Sequence, residues 1–124
     1  MSKAIHTNNA PEAIGPYSQA IVSGGLVFTS GQIAINPKTG NVETKTIEEQ
    51  TKQVCKNLAE VLKAAGSSLE KVVKTVCFLR NMEDFAAFNA VYGEYFTEKP
   101  ARSCVAVKEL PKNVLVEVDT VAEI

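Results

Sequence analysis

Two valine-rich runs near the end of this 124-residue chain each carry a charge: Arg102 lies in the run from Pro100 to Val107, and Glu117 in the run from Val114 to Asp119. Side chains alternate across a strand, which puts Arg102 and Cys104 on one face and Ser103 and Val105 on the other. On the second run Val114, Val116 and Val118 share a face, opposite Leu115, Glu117 and Asp119. A charge inside an apolar strand is costly unless a partner or a ligand compensates it. Arg102 offers a planar fork of donors that matches a carboxylate in bidentate geometry. Glu117 could hold or activate a water within hydrogen-bond reach. The same two residues also suit a structural ion pair with each other, and the pattern alone leaves both readings open.

Other residues add weaker chemistry. Cys104 shares the Arg102 face, and a nearby cation lowers a thiol pKa. With no histidine beside it, Cys104 reads as a small packing residue, not a nucleophile. Tyr17 brings a hydroxyl on a ring suited to an interface or the core. Ser30 and Gly31 offer a hydroxyl, backbone N–H groups and a close backbone approach at a strand end. Phe88 belongs by spacing to a core stripe with Phe85 and Tyr92, whereas its neighbour Asn89 has no apolar reason for its position and suits a hydrogen bond to a loop or a site.

Composition narrows the classes. The net charge is −1 and the basic residues are dispersed. This argues against a dedicated nucleic-acid or anionic-membrane surface. No apolar run is long enough for a membrane span, and no signal-peptide core is visible, so a cytoplasmic protein is expected. Cys55, Cys77 and Cys104 show no C-x-x-C spacing, and His6 is the single histidine. Reduced thiols are expected, without a zinc set or a histidine-based triad. No glycine-rich phosphate loop is present, and no cofactor is called for.

The elements that must position these residues form one domain over residues 1–124. Residues up to about Pro16 read as irregular. Strands are expected from Tyr17 to Ser23 and from Leu26 to Ser30, joined through Gly24-Gly25, and a third strand segment from Gln32 to Asn36. Thr46, with Glu49 three residues on, opens a helix that Gly66 stops. Val72 to Leu79 reads as a strand, and about Asp84 to Phe96 as a second helix that Pro100 cannot continue. The two charged runs then flank a Pro111-Lys112-Asn113 turn as two final strands. The order indicates an α+β two-layer domain with helices covering one face of a sheet.

Four segments carry a family resemblance: Ile14-Gly15-Pro16-Tyr17-Ser18-Gln19-Ala20, Thr29-Ser30-Gly31-Gln32-Ile33, Phe85-Ala86-Ala87-Phe88-Asn89 with Tyr92, and Pro100-Ala101-Arg102-Ser103-Cys104 followed by Val116-Glu117-Val118. Together they resemble the RidA (YjgF/UK114) family over nearly the whole chain, with valine at 118 where the signature often has isoleucine or methionine. The resemblance implies a chorismate-mutase-like fold: a mixed sheet of about six strands, two helices on one face, and a homotrimer with clefts between subunits. It implies an enamine/imine deaminase that hydrolyses 2-iminobutanoate and 2-iminopropanoate to 2-keto acids and ammonia. In that scheme Arg102 holds the substrate carboxylate, and Glu117 and Tyr17 position water. Cys104, Ser30, Gly31, Phe88 and Asn89 line the substrate site. The family also includes proteins linked to RNA-acting translation inhibition and to holding unfolded proteins, and a non-catalytic small-acid-binding regulator is a further alternative. No membrane partner is expected, and the dispersed charge speaks against nucleic acid.

Overall fold

The computed structural model describes residues 2–124. Its six strands, β1 (Lys3–Ile5), β2 (Ala20–Ser23), β3 (Leu26–Thr29), β4 (Val72–Leu79), β5 (Ala101–Ala106) and β6 (Val116–Glu123), form one mixed sheet in the order β1-β2-β3-β6-β4-β5. Strand β2 (Ala20–Ser23) turns into β3 (Leu26–Thr29) through Gly24 and Gly25, whose φ angles of 61° and 79° are the positive values a tight hairpin needs. Two helices, α1 (Ile47–Ala64) and α2 (Phe85–Tyr95), supply the second layer. Thr46 caps α1 by accepting from the Glu49 N–H, and its hydroxyl donates to the Glu49 carboxylate. Past the helix end, Gly66 adopts φ 83° and Ser67 N–H closes onto the Leu62 carbonyl. Val54, Leu58, Val61 and Leu62 of α1 are fully buried against Val116, Val118, Cys77 and Leu79 of the sheet.

Three expectations need correction. The segment read as irregular contains β1 (Lys3–Ile5), paired antiparallel with β2. Buried Gln19 secures the following loop, accepting from Thr7 N–H at 2.7 Å and donating to the Pro11 carbonyl at 2.7 Å. The strand expected from Tyr17 starts only at Ala20. The segment Gln32 to Asn36 is no strand and makes only isolated bridges, Gln32 to Val118 and Ile35 to Val42. Its Ile33 and Ile35 carbonyls accept instead from the buried Asn57 amide of α1, at 3.1 and 2.9 Å.

The final strands also pair unexpectedly for neighbours in sequence. β5 (Ala101–Ala106) runs parallel to β4 (Val72–Leu79), while β6 (Val116–Glu123) runs antiparallel to the other edge of β4. β4 therefore separates the Arg102 strand from the Glu117 strand. The loop between them tightens at Pro111–Asn113, where Lys112 and Asn113 take φ values of 55° and 54°.

Candidate functional site

Register along β4 decides where the two charges point. Arg102 is paired with Thr75, and Glu117 with Phe78. Partners in register project from the same face, and positions 75 and 78 of one regular strand project from opposite faces. Thr75 is fully buried on the helix-covered face, so Arg102 lies on that side at the β5 edge. Glu117 stands on the open face. The chain therefore does not bring these two residues together, and the Arg102–Glu117 ion pair that the sequence left open does not form.

Arg102 is half-buried and held from α2. Its Nη1 donates to Asn89 Oδ1 at 2.7 Å. Its Cζ lies 4.9 Å from the centre of the Tyr92 ring and 5.5 Å from that of Phe85, within cation–π range. Among the described residues Arg102 has no acidic partner. Cys104 shares its face and is registered with buried Cys77. Burial pushes the Cys104 thiol up, and the Arg102 charge only partly opposes this. An elevated thiol pKa is the opposite of what a nucleophile needs. Phe88 is fully buried between the layers, so its ring packs the core and offers no surface to a ligand within this chain.

Glu117 lies in a separate cleft of about 510 Å³, lined also by Tyr17, Ser30, Gly31, Gln32 and Lys112. Burial, and secondarily the Asp119 charge two residues along the same face, push its carboxyl above the usual range. Burial alone raises Asp119. Gly31 passes so close that a Cβ there would lie 2.8 Å from the Glu117 carboxyl carbon. Ser30 spends its hydroxyl locally, donating to the Ser18 carbonyl at 2.6 Å, which ties the two motif segments together. Tyr17 is 52 % exposed at the mouth. No protein partner takes its hydroxyl among the described residues.

The structure thus gathers Tyr17, Ser30, Gly31 and Glu117 in one cleft and Arg102, Cys104 and Asn89 at another place. Sequence reasoning passed over Gln32 and Lys112 as cleft residues, and over Tyr92 with Thr75 as the support under Arg102. The signal for Gln32 was its place in the Ser30-Gly31 segment. Lys112, on a turn, carried none. Among the described residues no cluster of three His, Cys, Asp or Glu side chains could hold a metal ion, and no helix is long and apolar enough to cross a membrane.

Comparison with known proteins bears on this arrangement. The family described as Endoribonuclease L-PSP matches residues 7–124. The chain belongs to this family, the RidA/YjgF group. Among RidA relatives it is 46% identical over 126 residues to the 2-iminobutanoate/2-iminopropanoate deaminase of Escherichia coli K12, covering 98% of both chains. It is 50% identical over 123 residues to a Lactococcus lactis protein named as a regulator, AldR, again covering 98% of each. The crystal structure of Escherichia coli TdcF with bound serine superposes with a TM-score of 0.93 at 40% identity, over 98% of each chain. The two-layer RidA fold expected from sequence is the fold observed.

Proposed function

We propose that the protein is an imine deaminase acting on small 2-imino acids such as 2-iminobutanoate and 2-iminopropanoate. The observation that carries this reading is the state of Arg102: a half-buried guanidinium oriented by an amide and two rings, with no acid neutralising it. Such a group suits a small carboxylate. The 46% identity to a deaminase of that specificity supports the choice of substrate.

The opposite-face placement favours a second copy supplying one of the two groups. The open face exposes Phe28 and Val105 at 44 % and 46 %, apolar surface of the kind that subunit contacts cover. In the proposed homotrimer, Arg102 of one subunit closes the Glu117 cleft of its neighbour, making a shared site. Arg102 clamps the substrate carboxylate and fixes C2. Glu117, with the Tyr17 hydroxyl, holds a water and accepts its proton as the oxygen bonds to C2. The C=N π pair moves to nitrogen, which takes the proton that Glu117 accepted. The new hydroxyl then gives its proton through Glu117 to nitrogen, the C–N bond breaks, and ammonia leaves as the C=O of the 2-keto acid forms. Positioning supplies most of the effect, and no cofactor enters.

The test couples a threonine dehydratase to the protein and times 2-ketobutyrate release. Arg102→Ala is expected to abolish the acceleration while the assembly persists. Full activity in that variant defeats the assignment.

A further inference from the structure

We propose that Asn89 is a positioning residue: it holds the Arg102 guanidinium by one edge and, being neutral, reserves the other edge and the whole charge for a single planar carboxylate. This deepens the reading of Arg102 as the carboxylate-binding group and rests on it.

The support under Arg102 is layered. Asn89 Oδ1 takes one Nη1 hydrogen at 2.7 Å. Tyr92, the residue 4.9 Å below the guanidinium carbon, is itself fastened by its hydroxyl to Thr75 Oγ1 at 2.8 Å. Thr75 is fully buried and is the β4 residue in register with Arg102. The ring that supports the guanidinium is therefore tied to the strand beside the arginine, which removes rotamer freedom before any ligand arrives. The rings of Tyr92 and Phe85 lie within cation–π range of the guanidinium, at 4.9 and 5.5 Å from Cζ. The Nε and Nη2 donors make no hydrogen bond to protein among the described residues. Their fork matches the two oxygens of one carboxylate.

The side-chain type matters at this position. Aspartate is nearly isosteric with asparagine and would still accept from Nη1, but it would pair with Arg102 as an ion pair and compete with an incoming acid. Asparagine gives the orientation without the neutralisation. A purely structural hydrogen bond makes the opposite forecast, because an aspartate would hold the arginine at least as firmly.

The deciding measurement is calorimetric titration of 2-ketobutyrate into wild type, Arg102→Ala, Asn89→Asp and Asn89→Ala, with thermal melting of each. Asn89→Asp is expected to bind at least about tenfold more weakly while melting no lower than Asn89→Ala, since charge competition acts on the ligand and not on the fold. Asn89→Ala, which frees the guanidinium to reorient, is expected to lose several-fold in affinity. Wild-type affinity in Asn89→Asp, or in Asn89→Ala should the former fold poorly, overturns the proposal. Unchanged affinity in Arg102→Ala instead overturns the underlying assignment of Arg102, so the two failures are distinguishable.

Discussion

Arg102 and Glu117 project from opposite faces of one sheet, with strand β4 between their strands. In the proposed reaction, which uses both, they would come from different chains. Mixing two inactive variants tests this directly. Arg102→Ala and Glu117→Gln subunits, unfolded together and reassembled, are expected to recover activity, because some sites then take Arg102 from one chain and Glu117 from the other. Random assortment leaves about a quarter of the sites intact. No recovery from a mixed assembly would place both groups in the same subunit's site and refute the shared cleft.

Gly31 and the Glu117 carboxylate are in contact across the cleft. Gly31 does not need a left-handed backbone, so alanine there brings no φ strain. It would instead force the Glu117 carboxyl group, the end of a flexible side chain, to swing away. Gly31→Ala should leave melting nearly unchanged and reduce kcat by about 10²-fold, the order expected when a catalytic group is misplaced by an ångström. Steady-state kinetics beside a melting curve would check it. A fully active Gly31→Ala would mean that the carboxylate position is not critical.

Helix α1 was legible because several signals agreed: the Thr46–Glu49 box, the apolar spacing of Val54, Leu58 and Val61, and Gly66. The Arg102 and Glu117 strands were legible from alternation, which also gave their faces correctly. What alternation cannot supply is the strand between them, since β4–β5 and β4–β6 pairing depends on contacts distant in sequence. The Gln32–Asn36 segment misled for a related reason. Its apolar residues are buried, but its carbonyls bond to the Asn57 side chain, a tertiary partner that no local pattern announces. Tyr92 read as core and is core, yet its ring also supports Arg102. One side chain serving two purposes leaves only the commoner signature in the sequence.

Leu58 sits at the centre of the layer interface with no exposed surface. Leu58→Ala removes buried methyl groups and leaves a cavity between α1 and the sheet, which should cost about 2–5 kcal/mol. It touches neither Arg102 nor the Glu117 cleft, so the loss should appear in denaturant midpoint well before it appears in kcat measured below the transition. A midpoint within experimental error of wild type would contradict the packing described.

The raised pKa of Glu117 sets opposite demands on activity and stability. The carboxylate is the form that accepts a proton from water, so activity should fall on the acid side. Within one chain burial first and Asp119 second push that limb above the ordinary glutamate range, while a neighbour's Arg102 closing the cleft would draw it back down. Asp119→Asn removes the second cause, and the acid limb of the pH–rate profile should move to lower pH without reaching the unperturbed position. For stability the sign reverses. A carboxyl whose folded pKa exceeds its unfolded value contributes stability below the unfolded pKa, and loses it as pH rises through the folded one. Within one chain Glu117 is therefore a net cost at neutral pH, and Glu117→Gln should melt higher than wild type there, while losing catalysis, unless a neighbour's Arg102 offsets that cost in the assembly. Melting curves of the two proteins should converge on acidification, where wild-type Glu117 is itself protonated. A Glu117→Gln protein less stable at neutral pH would show that the carboxylate is held by favourable contacts rather than by burial against its charge.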